Sequence, residues 1–269
     1  MTEKYIHGTS KDEQARLRLL NKITNRSFIA YLGDCHDLSI CDFGCGLGTL
    51  IGDLAEAYPG SKIVGLEISE AQASVARQNN PGHGNVAIIR TDVLCNDLPA
   101  GSFDITYCRY LLEHVADPVA VVKEMVRTTK PGGKIVSQEN DLHNVIYHPE
   151  IKGHDEVMQQ FCNLQIKLGG SPFIGRELFD IYKSAGVTEI ELSYAPEIYT
   201  ENDPEKYRAW MQNSLHILLG VREMMLQHNM VPEKIFDGVC HAIGERIASP
   251  KGVSLFHWNR VTGYKRASC

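Results

Sequence analysis

The run Asp42-Phe43-Gly44-Cys45-Gly46-Leu47-Gly48-Thr49 constrains this chain more than any other feature. It follows a short apolar stretch, Leu38 to Phe43, that reads as a buried strand. It precedes Thr49 to Tyr58, where Leu50, Ile51, Leu54 and Ala57 recur at helical spacing before Pro59-Gly60. A strand that ends in alternating glycines and passes straight into a helix lets the backbone approach a ligand and aim its amides at it. The spacing is GxGxG with an acid two positions ahead, whereas a dinucleotide fingerprint would want glycine at Thr49. Taken alone, the segment also reads as a plain tight turn.

The strand–helix unit then repeats. Lys62 to Leu66 is a strand, and Ser69 to Gln78 is a helix stopped by Asn79-Asn80-Pro81-Gly82. Val86 to Arg90, Phe103 to Cys108 and Gly133 to Ser137 are further strands, and a helix from about Asp117 to Thr129 is ended by Pro131-Gly132-Gly133. Such alternation builds a parallel sheet with helices on both faces, whose ligands sit outside the carboxyl ends of the strands. Beyond it, Glu156 to Leu168 and Arg176 to Ala185 read as helices and Thr188 to Ala195 as a strand. A helical block from Asp203 to about Ala248 carries an apolar stripe of Tyr207, Trp210, Met211, Leu215, Leu218 and Leu219, and Val253 to Tyr264 closes as a strand. The block reads as a lid or an oligomer surface, with ordinary packing on a core as the alternative.

Composition narrows the function classes. The 269 residues suffice for one sizeable core, so a single domain with an elaboration is expected. The net charge is −6 without a Lys/Arg stripe, which argues against a nucleic-acid backbone as partner. No apolar run approaches the roughly 20 residues of a membrane span, and Met1 to Ser10 has no secretory core, so a cytoplasmic location is expected. The eight cysteines form no CxxC pair and no zinc spacing. They read as free thiols, several of them in the core, and no metal site is expected.

Three more elements lie at strand ends. Glu67, with Ile68 beside it, stands where an acid accepts from both hydroxyls of a ribose. Thr91-Asp92-Val93 follows the third strand, where a carboxylate and the next amide can read an adenine. Cys108-Arg109-Tyr110-Leu111-Leu112-Glu113-His114-Val115 follows the fourth.

In this order and at these intervals, the elements resemble the class I S-adenosylmethionine-dependent methyltransferases, strongly over residues 36 to 140 and loosely elsewhere. Leu111 to Val115 with Asp117-Pro118 and Lys130-Pro131-Gly132-Gly133 is similar to the branch of quinone C-methyltransferases and many small-molecule enzymes. The resemblance implies a doubly wound α/β fold, a mostly parallel seven-stranded sheet with an antiparallel last strand, preceded by a helical insertion at about 200–250. It implies an N-terminal helical cover over residues 1–35 and a cofactor-binding domain over 36–269. The cofactor would be S-adenosylmethionine, released as S-adenosylhomocysteine. Carried over by position, its contacts are Asp42, Gly44, Cys45, Gly46 and Gly48 for the methionine part, Glu67 and Ile68 for the ribose, Asp92 and Val93 for adenine, and Arg109. Tyr5 and Arg16 join them from the stretch beginning Tyr5-Ile6-His7-Gly8, which resembles the branch's covering helix.

The chain lacks other branches' signatures. Cys108-Arg109-Tyr110-Leu111 replaces the D/N-P-P-Y/F of base-modifying enzymes, Cys108 stands where metal-dependent catechol enzymes place a carboxylate, and no paired-glutamate hairpin is evident. A small-molecule acceptor is therefore expected, with a homodimer compatible. Candidate bases are His114, read as lying on the helix after strand four, and Asp141 and His143 after strand five, with Tyr110 also at a strand end. Two rivals stand beside this reading. A nicotinamide oxidoreductase is disfavoured by Thr49 and Asp92, whereas a non-catalytic cofactor binder of the same fold would keep every motif named.

Overall fold

The computed structural model describes residues 10–267, which divide into two compact units. The sheet unit comprises Asn25–Asn140, Phe173–Ala195 and the chain from Asn259 onward. The helical unit comprises the described residues up to Thr24, with Asp141–Pro172 and Pro196–Trp258. Helix α1 (Lys11–Leu32) therefore begins in the helical unit and ends in the sheet unit.

Strands β1 (Ser39–Phe43), β2 (Lys62–Glu67), β3 (Val86–Arg90), β4 (Phe103–Arg109) and β5 (Thr129–Glu139) form the sheet unit's frame. They lie in the order β3-β2-β1-β4-β5, all parallel. The crossovers are α2 (Thr49–Ala57), α3 (Glu70–Asn79) and α4 (Pro118–Thr128). Buried on both faces, the central strands read as near-continuous apolar runs. One face packs Ile40, Ile63, Ile105, Tyr107 and Val136 against Leu50, Ile51 and Leu54 of α2 and Phe28 and Leu32 of α1. The other packs Cys41, Phe43, Cys108 and Ile135 against Val121, Val122 and Met125 of α4 and against Leu178 and Tyr182 of α6 (Leu178–Ser184). Both crossovers flanking the site start at capping side chains. Ser69 accepts from the Gln72 amide at 3.4 Å, and Asp117 accepts from the Ala120 amide at 2.9 Å with Pro118 in the first turn.

In the sheet unit, Asn259 to Tyr264 of β8 (Val253–Tyr264) runs antiparallel to β5, and β7 (Thr188–Thr200) pairs with β8. These seven strands make the expected sheet. A short extra strand, β6 (Ile146–His148), pairs antiparallel with the first residues of β8 inside the helical unit.

Four details correct the sequence reading. Pro131-Gly132-Gly133 does not end a helix; α4 stops at Thr128, and the segment lies within β5. Phe103 pairs Thr129 and Ile105 pairs Lys134, so the intervening residues form a bulge, where proline and glycine are tolerated in a strand. His114 lies not on a helix of any length but in the 3-10 turn Leu112–His114. The helical block is two helices, α7 (Pro204–Gln227) and α8 (Glu233–Ala248), separated by a turn that ends at Pro232. Its buried stripe runs Tyr207, Trp210, Met211, Leu218, Val221 and Met225, and Leu219 is 47% exposed because it falls one residue outside that row.

The helical unit also holds α5 (His154–Lys167). Trp210 stacks on Tyr199 with ring centroids 4.8 Å apart, and its indole N–H donates to Ser254 Oγ at 2.8 Å, which satisfies the polar end of a buried ring.

Candidate functional site

The glycine loop leaves β1 and is fastened to the end of β2. The Gly44 and Cys45 amides both donate to Leu66 O, at 2.9 and 2.8 Å. Gly46 and Gly48 have φ of 54° and 67°, in the left-handed region that side chains disfavour. Around Gly46, among the described residues, an added Cβ would meet only Gln72 Oε1, at 3.4 Å. Gly48 is tight for another reason: a Cβ there would lie 2.9 Å from Ala76 Cβ and from Asn80 Nδ2. Cys45 turns its sulfur against Gly65, and burial holds its thiol well above the usual range, so its role is packing and not thiolate chemistry.

Two carboxyl groups flank this loop. Glu67 is buried and accepts from the Gly46 amide through Oε2 and from the Ser69 amide through Oε1, both at 2.9 Å. A carboxylate offers about four acceptor positions, and these two amides take one on each oxygen. Ile68 beside it is 50% exposed, an apolar surface at a strand's carboxyl end. Asp42 is buried and accepts from the Tyr107 hydroxyl at 2.9 Å. Burial pushes its carboxyl up to about 7, although the Tyr107 hydroxyl and the Arg109 charge oppose the shift. Asp92, past β3, accepts from the Leu94 amide at 2.9 Å, and Val93 is buried behind it.

The turn after β4 is held from β5. Tyr110 has φ of 58°, its amide donates to Gln138 O at 3.0 Å, and Gln138 Nε2 donates to its hydroxyl at 2.7 Å. Arg109 lies over the rings of Phe28 and Tyr110, 5.5 and 5.1 Å from their centroids, and donates to Asn25 Oδ1 at 2.6 Å. Asn25 in turn donates to Asp53, so Arg109 is built into the packing between α1 and α2. His114 Nε2 is 3.7 Å from Glu113, whose other oxygen accepts from Asn140 at 2.7 Å. Glu139 ends β5 fully buried, accepting from the Leu111 and Leu112 amides, and burial and then Glu113 push its carboxyl up to about 8.

Neither Glu113 nor Glu139 is singled out by the sequence reading, which ends the fifth strand at Ser137. The signal that selects Glu67, an acid directly at a strand's carboxyl end, would have selected Glu139 had the strand been drawn to its full length.

Arg16, Asp141 and His143 lie in the helical unit. Arg16 is buried, bonded to Glu13 by Nε at 2.7 Å and by Nη2 at 2.6 Å, and donates to Asn213 at 3.0 Å. Asp141 is buried and accepts from the amide of His143, which is exposed on the 3-10 turn Leu142–Asn144. Tyr5 lies outside the described residues. Among the described residues no three His, Cys, Asp or Glu side chains could hold a metal ion, and no helix is long and apolar enough to cross a membrane.

Residues 41–137 match a family model described as a methyltransferase domain. The chain is 30% identical over 149 residues to a demethylmenaquinone methyltransferase of Lactococcus lactis, covering 54% of each protein. It is 38% identical over 99 residues to a ubiquinone biosynthesis O-methyltransferase of Idiomarina loihiensis, covering 36% of this chain and 40% of that protein. The chain thus spans about half the length of the curated relatives it matches. Among solved structures, it is similar to a phosphoethanolamine N-methyltransferase 2 of Haemonchus contortus in complex with phosphomonomethylethanolamine and S-adenosylhomocysteine. That match has a TM-score of 0.59 at 17% identity, over 96% of this chain and 58% of the other, and it shows a shared fold.

Proposed function

We propose that this chain, whose residues 41–137 match a methyltransferase-domain model, is a class I S-adenosylmethionine-dependent methyltransferase that transfers the cofactor's methyl group to a small-molecule acceptor. The observation that carries the reading is the glycine loop whose Gly46 amide is tied to Glu67, with backbone at Gly46 that only Gln72 approaches among the described residues. An acid and a glycine loop at adjacent strand ends suit a ligand with a ribose at one end and an amino acid at the other. Asp92 and the Val93 amide, at the next strand end, supply an acceptor and a donor for an adenine edge.

When bound, the cofactor supplies a sulfonium methyl that is already electrophilic. The protein's part is to hold, orient and exclude water, and such positioning supplies about 7–11 kcal/mol of barrier lowering. Asp42, bonded to Tyr107, and Glu67, bonded to Gly46 and Ser69, hold the loop's shape. His114, Asp141 and His143 are the groups we assign to moving a proton from a hydroxyl or carbon acceptor. The relatives' names support an acceptor of quinone-precursor size over a nucleic acid. With this reading go a cytoplasmic location and a homodimer, checked by fractionation and light scattering.

The test is binding followed by turnover. S-adenosylhomocysteine at 100 times its dissociation constant should stabilise the protein by about 2.7 kcal/mol, and NADH should not. Labelled S-adenosylmethionine should then mark a small-molecule product in a metabolite extract, identified by mass spectrometry. Stabilisation by NADH alone, or tight cofactor binding with no labelled product in any extract, overturns the proposal.

A further inference from the structure

Glu139 ends β5 with a carboxyl group to which the proposed reaction assigns no role. It is fully buried; Oε1 accepts from the Leu111 and Leu112 amides at 3.0 and 2.9 Å, and Oε2 is buried without a partner among the described residues. Those amides belong to the turn leaving β4, and that turn is strained. Tyr110 is in the left-handed region at φ 58°, a conformation a bulky side chain adopts only where its surroundings impose it. The surroundings here are consecutive residues of one strand: Gln138 holds Tyr110 by amide and hydroxyl, and Glu139 holds the next two residues by their amides. Leu111 passes the restraint on, since a Cβ on Gly44 would come within 3.0 Å of Leu111 Cδ1.

We propose that Glu139 is a positioning residue that fixes the Tyr110–Leu112 turn through backbone amides and, through Leu111, holds Gly44 and the glycine loop in the conformation that binds the cofactor. The inference rests on the cofactor reading above. It differs from a plain packing role in one respect, which is the protonation state of the group.

The groups around Glu139 are Glu113 of the 3-10 turn, with His114 beside it, and Cys108 of β4, whose sulfur is 4.0 Å from Oε1. Ser137 joins Cys108, at 3.0 Å, to Tyr182 of α6, at 2.6 Å, and Asn259 is the uncharged partner across β8. Burial and Glu113 push the Glu139 carboxyl up while the backbone amides pull it down, leaving it at about 8. At neutral pH the brace is therefore a neutral acid, with one oxygen accepting from the amides. Ionisation at higher pH strengthens the two amide bonds but sets a second negative charge beside Glu113 in a dry site; burial and Glu113 outweigh the amides, so the repulsion drives Glu113, and the turn it belongs to, away from Glu139.

Glutamine is the neutral isostere, so Glu139→Gln keeps the brace and removes the titration, whereas Glu139→Ala removes both. Affinity for S-adenosylhomocysteine is measured by calorimetry between about pH 6.5 and 9.5, a range that straddles the group's midpoint. Wild type should lose affinity across the alkaline half of that range, and Glu139→Gln should match it at the neutral end without the alkaline loss. Glu139→Ala, if folded, should bind roughly ten-fold or more weakly than wild type at neutral pH, because two backbone donors lose their acceptor, and should show no further alkaline loss. Superimposed profiles for wild type and Glu139→Gln overturn the proposal while leaving the cofactor reading intact. Absence of binding by wild type at any pH refutes the cofactor reading, and the proposal with it.

Discussion

Replacing Glu67 with alanine separates its two tasks, tying the loop and holding the ligand. The carboxylate accepts from the Gly46 amide and the Ser69 amide at 2.9 Å each, and the side chain is buried. Hydrogen bonds to a charged group contribute about 1.5–3 kcal/mol each, so two give about 3–6 kcal/mol. The lower half of that range is expected, because Gly46 is only half-buried and water can reach its amide, whereas Ser69 is buried. For a chain of this size, about 3 kcal/mol lowers Tm by roughly 6–12 °C. Glu67→Gln keeps one acceptor and turns an N–H toward the other amide, so its loss should fall between wild type and alanine. Urea and thermal unfolding of the ligand-free protein measure the first task, and calorimetry with S-adenosylhomocysteine the second, where a loss of about ten-fold or more is expected. An alanine variant that melts within about 2 °C of wild type would mean these amide bonds add nothing to stability, and the loop would need another anchor.

Gly48→Ala should cost at least about 2 kcal/mol, since φ is 67° and the new Cβ would meet Ala76 and Asn80 at 2.9 Å; a melting curve within error of wild type refutes this. On α7, Leu218→Ala should cost about 2–5 kcal/mol and Leu219→Ala less than about 0.5 kcal/mol, by denaturant titration, because only Leu218 is buried. The Asp42 carboxyl is raised from 3.8 to about 7, so the folded protein holds its proton longer than the unfolded chain. Wild type should therefore lose stability relative to Asp42→Asn as pH rises from about 4 through about 7 and lose no more above that, and parallel pH–stability curves would exclude it. Excising residues 203–248 behind a short Gly/Ser linker, with folding checked by circular dichroism, should keep cofactor affinity within a few-fold and lower methyl transfer far more. Near-full turnover in a folded variant would assign α7 and α8 to packing or oligomer contacts.

What the sequence made legible was local. The glycine loop, Glu67 and Asp92 stand out because a strand end, a turn and a helix start are written within a few neighbouring residues, and β1 to β4 lie within a residue or so of their expected bounds. What it hid depended on partners far along the chain. The sequence reading ends the fifth strand at Ser137, yet pairing with Arg260 and Asn259 draws Gln138 and Glu139 into β5 and so places Glu139 behind the β4 turn. The left-handed Tyr110 carries no compositional mark, since glycine, asparagine or aspartate would be expected there. Leu219 differs for another reason: it continues the apolar spacing of α7 but falls one residue outside the buried row, because the buried face of α7 is narrower than its hydrophobic content.

The pairing of β5 with β8 also governs the order in which the molecule can be built. Glu139 and Asn259 lie roughly 120 residues apart, so the parallel strands are synthesised long before the antiparallel strand that covers them emerges. During that interval β5 presents an open edge, with Ile135 and Val136 on its two faces, and such an edge is a template for pairing with another chain. A nascent chain that pauses within α7 or α8 holds that edge open longest. Slow codons, low temperature or loss of chaperone capacity at that stage should therefore raise the aggregated fraction without touching any residue of the finished site.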